Sequence, residues 1–232
     1  MKFIIGNWKS NGDIDKKDSM IKSLKSVKTN NKVILCMPFH LLGGGNSVVE
    51  IGAQDISLYP NGAYTGDISG QMLKESNVKY VIVGHSERRK YHNETNEIVR
   101  KKSENAIANG IIPIICIGES ETDKKAGRTM SVVKKMLLDS IPKQGDFIVA
   151  YEPCWAIGTG VIPTTNEISA VHETLFKALS KIGRDTTPIL YGGSVNPTNA
   201  SEIMSINNVH GVLVGGASLK YDTFLPIINA AK

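Results

Sequence analysis

The sequence predicts an α/β fold, one closed (β/α)8 barrel in which residues 1–232 form a single domain, and three observations carry that prediction. Short β-rich runs alternate with amphipathic stretches along the whole chain, and eight candidate strands can be counted. No linker, low-complexity segment or shift in composition divides it. Most runs after the first lack polar alternation, as strands do when both of their faces are covered. A doubly wound open sheet is the alternative, but no G-x-G-x-x-G follows the first strand to favour dinucleotide binding.

The candidate strands are residues 2–8, 32–37, 48–54, 79–84, 111–116, 146–152, 188–192 and 211–215. Between them the period changes to that of a helix. Met20, Ile21, Leu24 and Val27 recur at three- and four-residue intervals, as do Val132, Val133, Met136 and Leu137, and again Ile168, Val171, Leu175 and Leu179. The stretch from Ile98 and Val99 to Ala106 and Ile107 is a weaker repeat. Thr164 and Glu167 have the spacing of a capping box that opens the seventh helical stretch. Three consecutive glycines, Gly43 to Gly45, stand where the second helix belongs and predict that it is short or absent.

Composition excludes several function classes. With 41% hydrophobic and 21% charged residues the chain can build a core, so disorder is not expected. The net charge of +5 suits a small anionic substrate. The basic pairs Lys16-Lys17, Lys124-Lys125 and Lys134-Lys135 have no interleaved aromatic platform, and they read as solvated helix faces rather than a nucleic-acid surface. Cys36, Cys116 and Cys154 share no close spacing, so neither a disulfide framework nor a zinc site is indicated, and Cys36 and Cys116 read as core residues. The apolar run Phe3-Ile4-Ile5 is too short for a signal peptide, and no window approaches a membrane span. A reduced, cytoplasmic setting is expected, with no metal and no cofactor.

In a parallel barrel the strand C-termini open on one face, where chemistry concentrates. The first strand delivers Asn7 and Lys9 to one side. The fourth delivers His85, in Gly84-His85-Ser86-Glu87-Arg88-Arg89, and the sixth delivers Glu152 just before Pro153, which keeps Glu152 extended. Each alone reads as a solvated or structural residue; together an ammonium, an imidazole and a carboxylate can move a proton and stabilise an oxyanion. Residues 155–160, an apolar segment closing on Gly158-Thr159-Gly160, read as a lid that expels water from Glu152. Tyr191-Gly192-Gly193-Ser194 and Val214-Gly215-Gly216-Ala217-Ser218 end the last two strands in glycine turns whose N–H groups can face an anion, the recurrent phosphate position in such barrels. The residues thus point to proton transfer on a small phosphorylated substrate.

These motifs resemble those of the triosephosphate isomerase family, over Phe3 to Ala230. The likeness rests on Gly6-Asn7-Trp8-Lys9, Gly52-Ala53-Gln54, Asn61-Gly62-Ala63-Tyr64-Thr65-Gly66, Gly84 to Arg89, Cys116-Ile117-Gly118-Glu119, residues 150–160, Tyr191 to Ser194 and Leu213 to Ser218. The resemblance implies a TIM barrel that interconverts dihydroxyacetone phosphate and D-glyceraldehyde 3-phosphate through an enediolate, in glycolysis and gluconeogenesis. It implies that Glu152 carries the proton and that His85 acts as a neutral electrophile, its imidazolium disfavoured by the helix N-terminus behind it. Lys9 and Asn7 would hold and stabilise substrate, and Glu87 would hold Lys9. The N–H groups of Gly158, Ser194, Gly215 and Gly216 would take the phosphate, and the lid would keep the enediolate from expelling it. A homodimer is also implied, the loop around Thr65 reaching the neighbour's site. The sequence departs from the family's pattern at Asp67, where Glu is usual, at Cys154, where a larger aliphatic is usual, and at Pro163 in the far hinge of the lid. A Schiff-base aldolase using Lys9 as nucleophile, and a barrel retained only for binding, are the competing readings.

Overall fold

Eight strands close on one another in sequence order as an all-parallel barrel: β1 (Phe3–Asn7), β2 (Lys32–Met37), β3 (Val49–Ala53), β4 (Tyr80–Val83), β5 (Ile112–Ile117), β6 (Ile148–Tyr151), β7 (Ile189–Tyr191) and β8 (Gly211–Val214). Closure is made by β1, whose Phe3 aligns with Lys32 on one side and Gly211 on the other. The structure is a computed structural model that describes residues 1–156 and 162–231. The open-sheet alternative is thereby overturned.

Strand periodicity of two splits the hydrophobic residues into two cores. Ile5, Ile34, Cys36, Ile82, Ile114, Cys116, Ile148, Ala150, Leu190 and Leu213 point inward and fill the barrel. Their neighbours Ile4, Val33, Leu35, Val81, Val83, Ile115 and Val149 point outward against the helices. Burying each such branched side chain contributes about 1.5–3 kcal/mol. Cys36 and Cys116 sit in the inner core as expected, while Cys154 is exposed.

The helical stripes seat as their spacing demands. In α1 (Ile14–Leu24) Met20 and Leu24 are buried, and in α7 (Thr165–Ser180) Ile168, Val171, Leu175 and Leu179 all are. The Thr164–Glu167 capping box is formed in both directions. In α6 (Thr129–Ser140) Val133 and Leu137 are buried, with Met136 packed at the margin. The weak repeat proves to be α4 (Asn96–Ala108). Its buried face carries Lys102 and Ser103 beside Val99 and Ala106, and Lys102 is neutralised by Asp55 and Glu94. After β2 there is only a single 3₁₀ turn, Phe39–Leu41, because Gly43, Gly44 and Gly45 take φ of 94°, 82° and 103°, outside the helical region. Short helices α2 (Gly70–Glu75), α3 (Ser86–Tyr91), α5 (Glu121–Lys125) and α8 (Ala200–Ser205), with α9 (Tyr221–Ala230), complete the outer layer among the described residues. None of the helices described is long and apolar enough to cross a membrane.

Candidate active site

Seven of the residues singled out in the sequence meet at the strand C-termini. Asn7, Lys9, His85, Glu152, Ser194, Gly215 and Gly216 all line one cavity of ≈ 360 Å³. Glu152 directly follows β6 and His85 is the N-cap of α3, so each side chain is held at the junction of a strand and a loop. Both are almost wholly buried, at 2% and 5% exposure. Gly158, the remaining phosphate candidate, and with it most of the expected lid, lie outside the described residues.

The carboxylate and the imidazole touch. Glu152 Oε1 lies 3.0 Å from His85 Nε2, and Glu152 Oε2 accepts from the Ser86 N–H at 3.0 Å. His85 Nδ1 accepts from the Glu87 N–H at 3.2 Å, so in the neutral ring the proton resides on Nε2 and faces the carboxylate. Ser86 was not singled out in the sequence. Its contribution is a backbone N–H exposed at the first turn of α3, a position predictable only once His85 is recognised as a cap.

The two groups shift each other's titration. Burial pulls the Glu152 carboxyl up, but the His85 ring, the Ser86 N–H and Lys9 together hold it below the ordinary carboxylate value. Burial pulls the His85 ring down, yet Glu152 beside it outweighs burial and its pKa is raised. While the two groups touch, the carboxylate 3.0 Å away works against the neutral ring that the resemblance implies, and burial works for it.

Lys9 is held in a strained backbone. It is a non-glycine residue with φ of 52°, a conformation that costs roughly 1–3 kcal/mol. Its N–H donates to Asn7 Oδ1 at 3.0 Å, its carbonyl accepts from Gln54 Nε2 at 2.9 Å, and its ammonium pairs with Glu87 Oε1 at 2.7 Å. The strain aims the ammonium across the cavity, where its Cε lies 3.7 Å from where a Cβ on Gly215 would stand.

The opposite wall is glycine-built. Gly192 N–H donates to the Tyr151 carbonyl at 2.7 Å, and a Cβ on Gly192 would stand 3.0 Å from Glu152 Cγ. Ser194 Oγ donates to the Ala156 carbonyl at 2.9 Å, which ties the start of the loop after β6 to the loop after β7. Gly215 precedes the short 3₁₀ turn Gly216–Ser218, and a Cβ on Gly216 would meet nothing within 4 Å, leaving backbone open to a ligand. The loop after β6 is anchored by Glu119, which accepts from Trp155 Nε1 at 2.8 Å and from the Tyr151 hydroxyl at 3.2 Å.

Glu87 lines an adjoining groove with Phe39, Gln54, Tyr91 and His92. Thr65 is exposed, and among the described residues it lines none of this cavity. A separate cavity of ≈ 340 Å³ lies beneath residues 57–68, but its charged lining is self-paired: Lys102 and Arg88 each bond both Asp55 and Glu94.

A family model described as triosephosphate isomerase matches residues 2–231. The chain is 43% identical to the protein named triosephosphate isomerase of Albidiferax ferrireducens, over 99% of this chain and 98% of the relative. It is 41% identical to that of Vesicomyosocius okutanii, over 98% of each, and 40% identical to that of Acidiphilium cryptum, over 99% and 98%.

Proposed function

Because the chain belongs to the triosephosphate isomerase family, we propose that it is an enzyme interconverting dihydroxyacetone phosphate and D-glyceraldehyde 3-phosphate through an enediolate, the isomerase step of glycolysis and gluconeogenesis. The observation that carries this reading is the meeting of Lys9, His85 and Glu152 with two glycine turns around one cavity sized for a three-carbon phosphate ester. The 2.7 Å Lys9–Glu87 contact favours this reading over a Schiff-base aldolase, whose nucleophilic amine calls for a desolvated pocket without an acidic partner.

Glu152 is the base that removes a proton from the carbon beside the carbonyl and returns it to the neighbouring carbon. Where it rests against His85 and Ser86 it is a weak base. Turning toward substrate breaks both contacts, and burial in a cavity emptied of water then raises its basicity. The same movement removes the nearer of the two carboxylates that favour the His85 imidazolium, leaving Glu87 at 3.6 Å from Nδ1. Burial and the Glu87 N–H on Nδ1 remain, both favouring a neutral ring whose Nε2–H donates to the substrate oxygens. Lys9, held through Asn7 and Glu87, stabilises the negative charge of the enediolate, and Asn7 helps hold the substrate. The phosphate is taken by the backbone N–H groups of Ser194, Gly215 and Gly216.

The working unit in this reading is a homodimer of one-domain chains, each spanning residues 1–232, in the cytoplasm. Support for the dimer comes from the exposed apolar side chains Phe39, Tyr59, Tyr64 and Met72, which crowd the region around Thr65. Tyr59 and Tyr64 stack at 4.2 Å and stiffen that loop, while Asp67 bonds to Ser57 within it. Three free cysteines are in keeping with a reducing compartment.

A coupled assay of triose phosphate interconversion by the purified chain tests the reading. Turnover is expected, and a folded chain that binds inorganic phosphate without turning substrate over would be a binding protein instead.

A further inference from the structure

Arg89 sits on the fourth position of α3 and folds its guanidinium back under the site instead of outward to solvent. Its Nε donates to the Gly84 carbonyl at 2.8 Å, and its Nη2 donates to the Cys116 carbonyl at 3.1 Å and to Ser140 Oγ at 3.3 Å. Nη1 donates to Asn96 Oδ1 at 2.8 Å. All four acceptors are uncharged, so this is not an ion pair that fell together on the surface. It is a rigid fork joining four elements.

Two of those acceptors matter for the chemistry. The Gly84 carbonyl and the His85 N–H belong to the same peptide unit, so the fork holds the plane from which His85 springs. Gly84 is left-handed, with φ of 66°, and a Cβ there would stand 2.5 Å from Val99 and 3.0 Å from Arg89 Nη2; only glycine lets the carbonyl turn inward to meet the guanidinium. The Cys116 carbonyl lies one residue before the end of β5, the strand end that braces Glu152. The next carbonyl, Ile117, accepts the Glu152 N–H at 2.7 Å, and Gly118 packs so closely beneath Glu152 that a Cβ would stand 1.7 Å from its carbonyl oxygen.

We propose that Arg89 is a positioning residue of the isomerisation, its guanidinium setting the spacing of His85 and Glu152 by tying the peptide that carries one to the strand end that braces the other. This inference rests on the isomerase reading above. Lysine cannot replace it, because one ammonium cannot span the Gly84 and Cys116 carbonyls in a fixed fork. A displacement of about 1 Å at such a site can cost roughly 10²-fold in rate. Besides each other, the groups facing the His85–Glu152 pair are Lys9 from the loop after β1, Glu87 from α3, Cys116 from β5, Cys154 after β6 and the Arg89 guanidinium itself, whose charge reaches Glu152. Arg89→Lys keeps that charge and alters only the fork.

The test compares Arg89→Lys and Arg89→Met with Asn96→Ala, which removes an acceptor outside the His85–Glu152 span. Both Arg89 variants are expected to lose about 10- to 100-fold in kcat with KM within about threefold, and Asn96→Ala to stay within about threefold in both. The ring resonances of His85, followed by NMR, should shift in Arg89→Lys and not in Asn96→Ala. Arg89→Lys keeps the charge and the aliphatic stem, so it decides the matter if Arg89→Met does not fold. An Arg89→Lys protein, folded by circular dichroism, with unshifted His85 resonances would overturn the proposal, as would a kcat within threefold of the parent. Absence of turnover in the parent chain would instead refute the isomerase reading, and the His85 resonances would still report whether Arg89 positions the pair.

Discussion

The carboxylate of Glu152 rests 3.0 Å from Nε2 of His85, and each group titrates away from its ordinary value on account of the other. The base of the proposed reaction is therefore docked on its electrophile until substrate arrives.

Replacing Glu152 by Gln removes the charge that raises the His85 ring, so the NMR titration midpoint of His85 should move down relative to the parent protein. The same variant should lose roughly 10²–10⁴-fold in kcat, while its affinity for a phosphate ligand stays within about tenfold. An unmoved midpoint would mean that the imidazole does not feel the carboxylate in solution.

Gly118→Ala places a methyl where the Glu152 carbonyl now is, 1.7 Å from that oxygen. The strand end must yield, at about 1–3 kcal/mol of stability and roughly 10²-fold in kcat. Denaturant titration and steady-state kinetics check both, and a kcat equal to the parent's would detach the position of Glu152 from β5.

Lys102 is the buried cation of the cluster beneath residues 57–68, 2.6 Å from both Asp55 and Glu94. Lys102→Met leaves two carboxylates facing Arg88 alone, and the expected loss is about 3 kcal/mol by urea unfolding. A neutral outcome would show that Arg88 alone suffices to compensate Asp55 and Glu94.

His172, in α7, is wholly buried against Tyr151. Its Nδ1 donates to the Asn208 carbonyl at 3.0 Å and its Nε2 has no hydrogen-bond partner among the described residues. Burial lowers its pKa from 6.5 to about 4. Between those values the unfolded chain takes a proton that the folded chain refuses, so stability present above about pH 6.5 is lost as pH falls to about 4. The loss amounts to about 3 kcal/mol. Urea midpoints measured across that window should fall in the parent and fall less steeply in His172→Gln. Parallel slopes would reassign the acid sensitivity to other groups.

What the sequence discloses about this site divides along a physical line. Asn7, Lys9, His85 and Glu152 are legible because side-chain chemistry is unusual at strand tips, and Gly192, Gly215 and Gly216 because a turn that approaches an anion needs glycine. Ser86 is not legible, since it acts through a peptide N–H that any residue would supply. Arg89 reads as one member of a basic run, and nothing local distinguishes a guanidinium that folds inward from its solvated neighbour Lys90. Likewise α4 scores poorly as an amphipathic helix, because its inner face includes Lys102, whose partners Asp55 and Glu94 come from outside the helix. Strand order is readable from the alternation of periods, whereas strand ends are read only to within two residues: flanks such as Lys2, Lys79, Asp146 and Gly192 do not mark where the ladder stops, and β5 runs one residue further, to Ile117.

Since β1 pairs with both β2 and β8, every strand already has a neighbour on either side. Among the described residues no strand edge offers a row of free amide and carbonyl groups to another molecule. Two copies can recognise each other only through loops and side chains, so their specificity is a matter of surface shape, and the register errors that lead sheet proteins into fibrils have no foothold here.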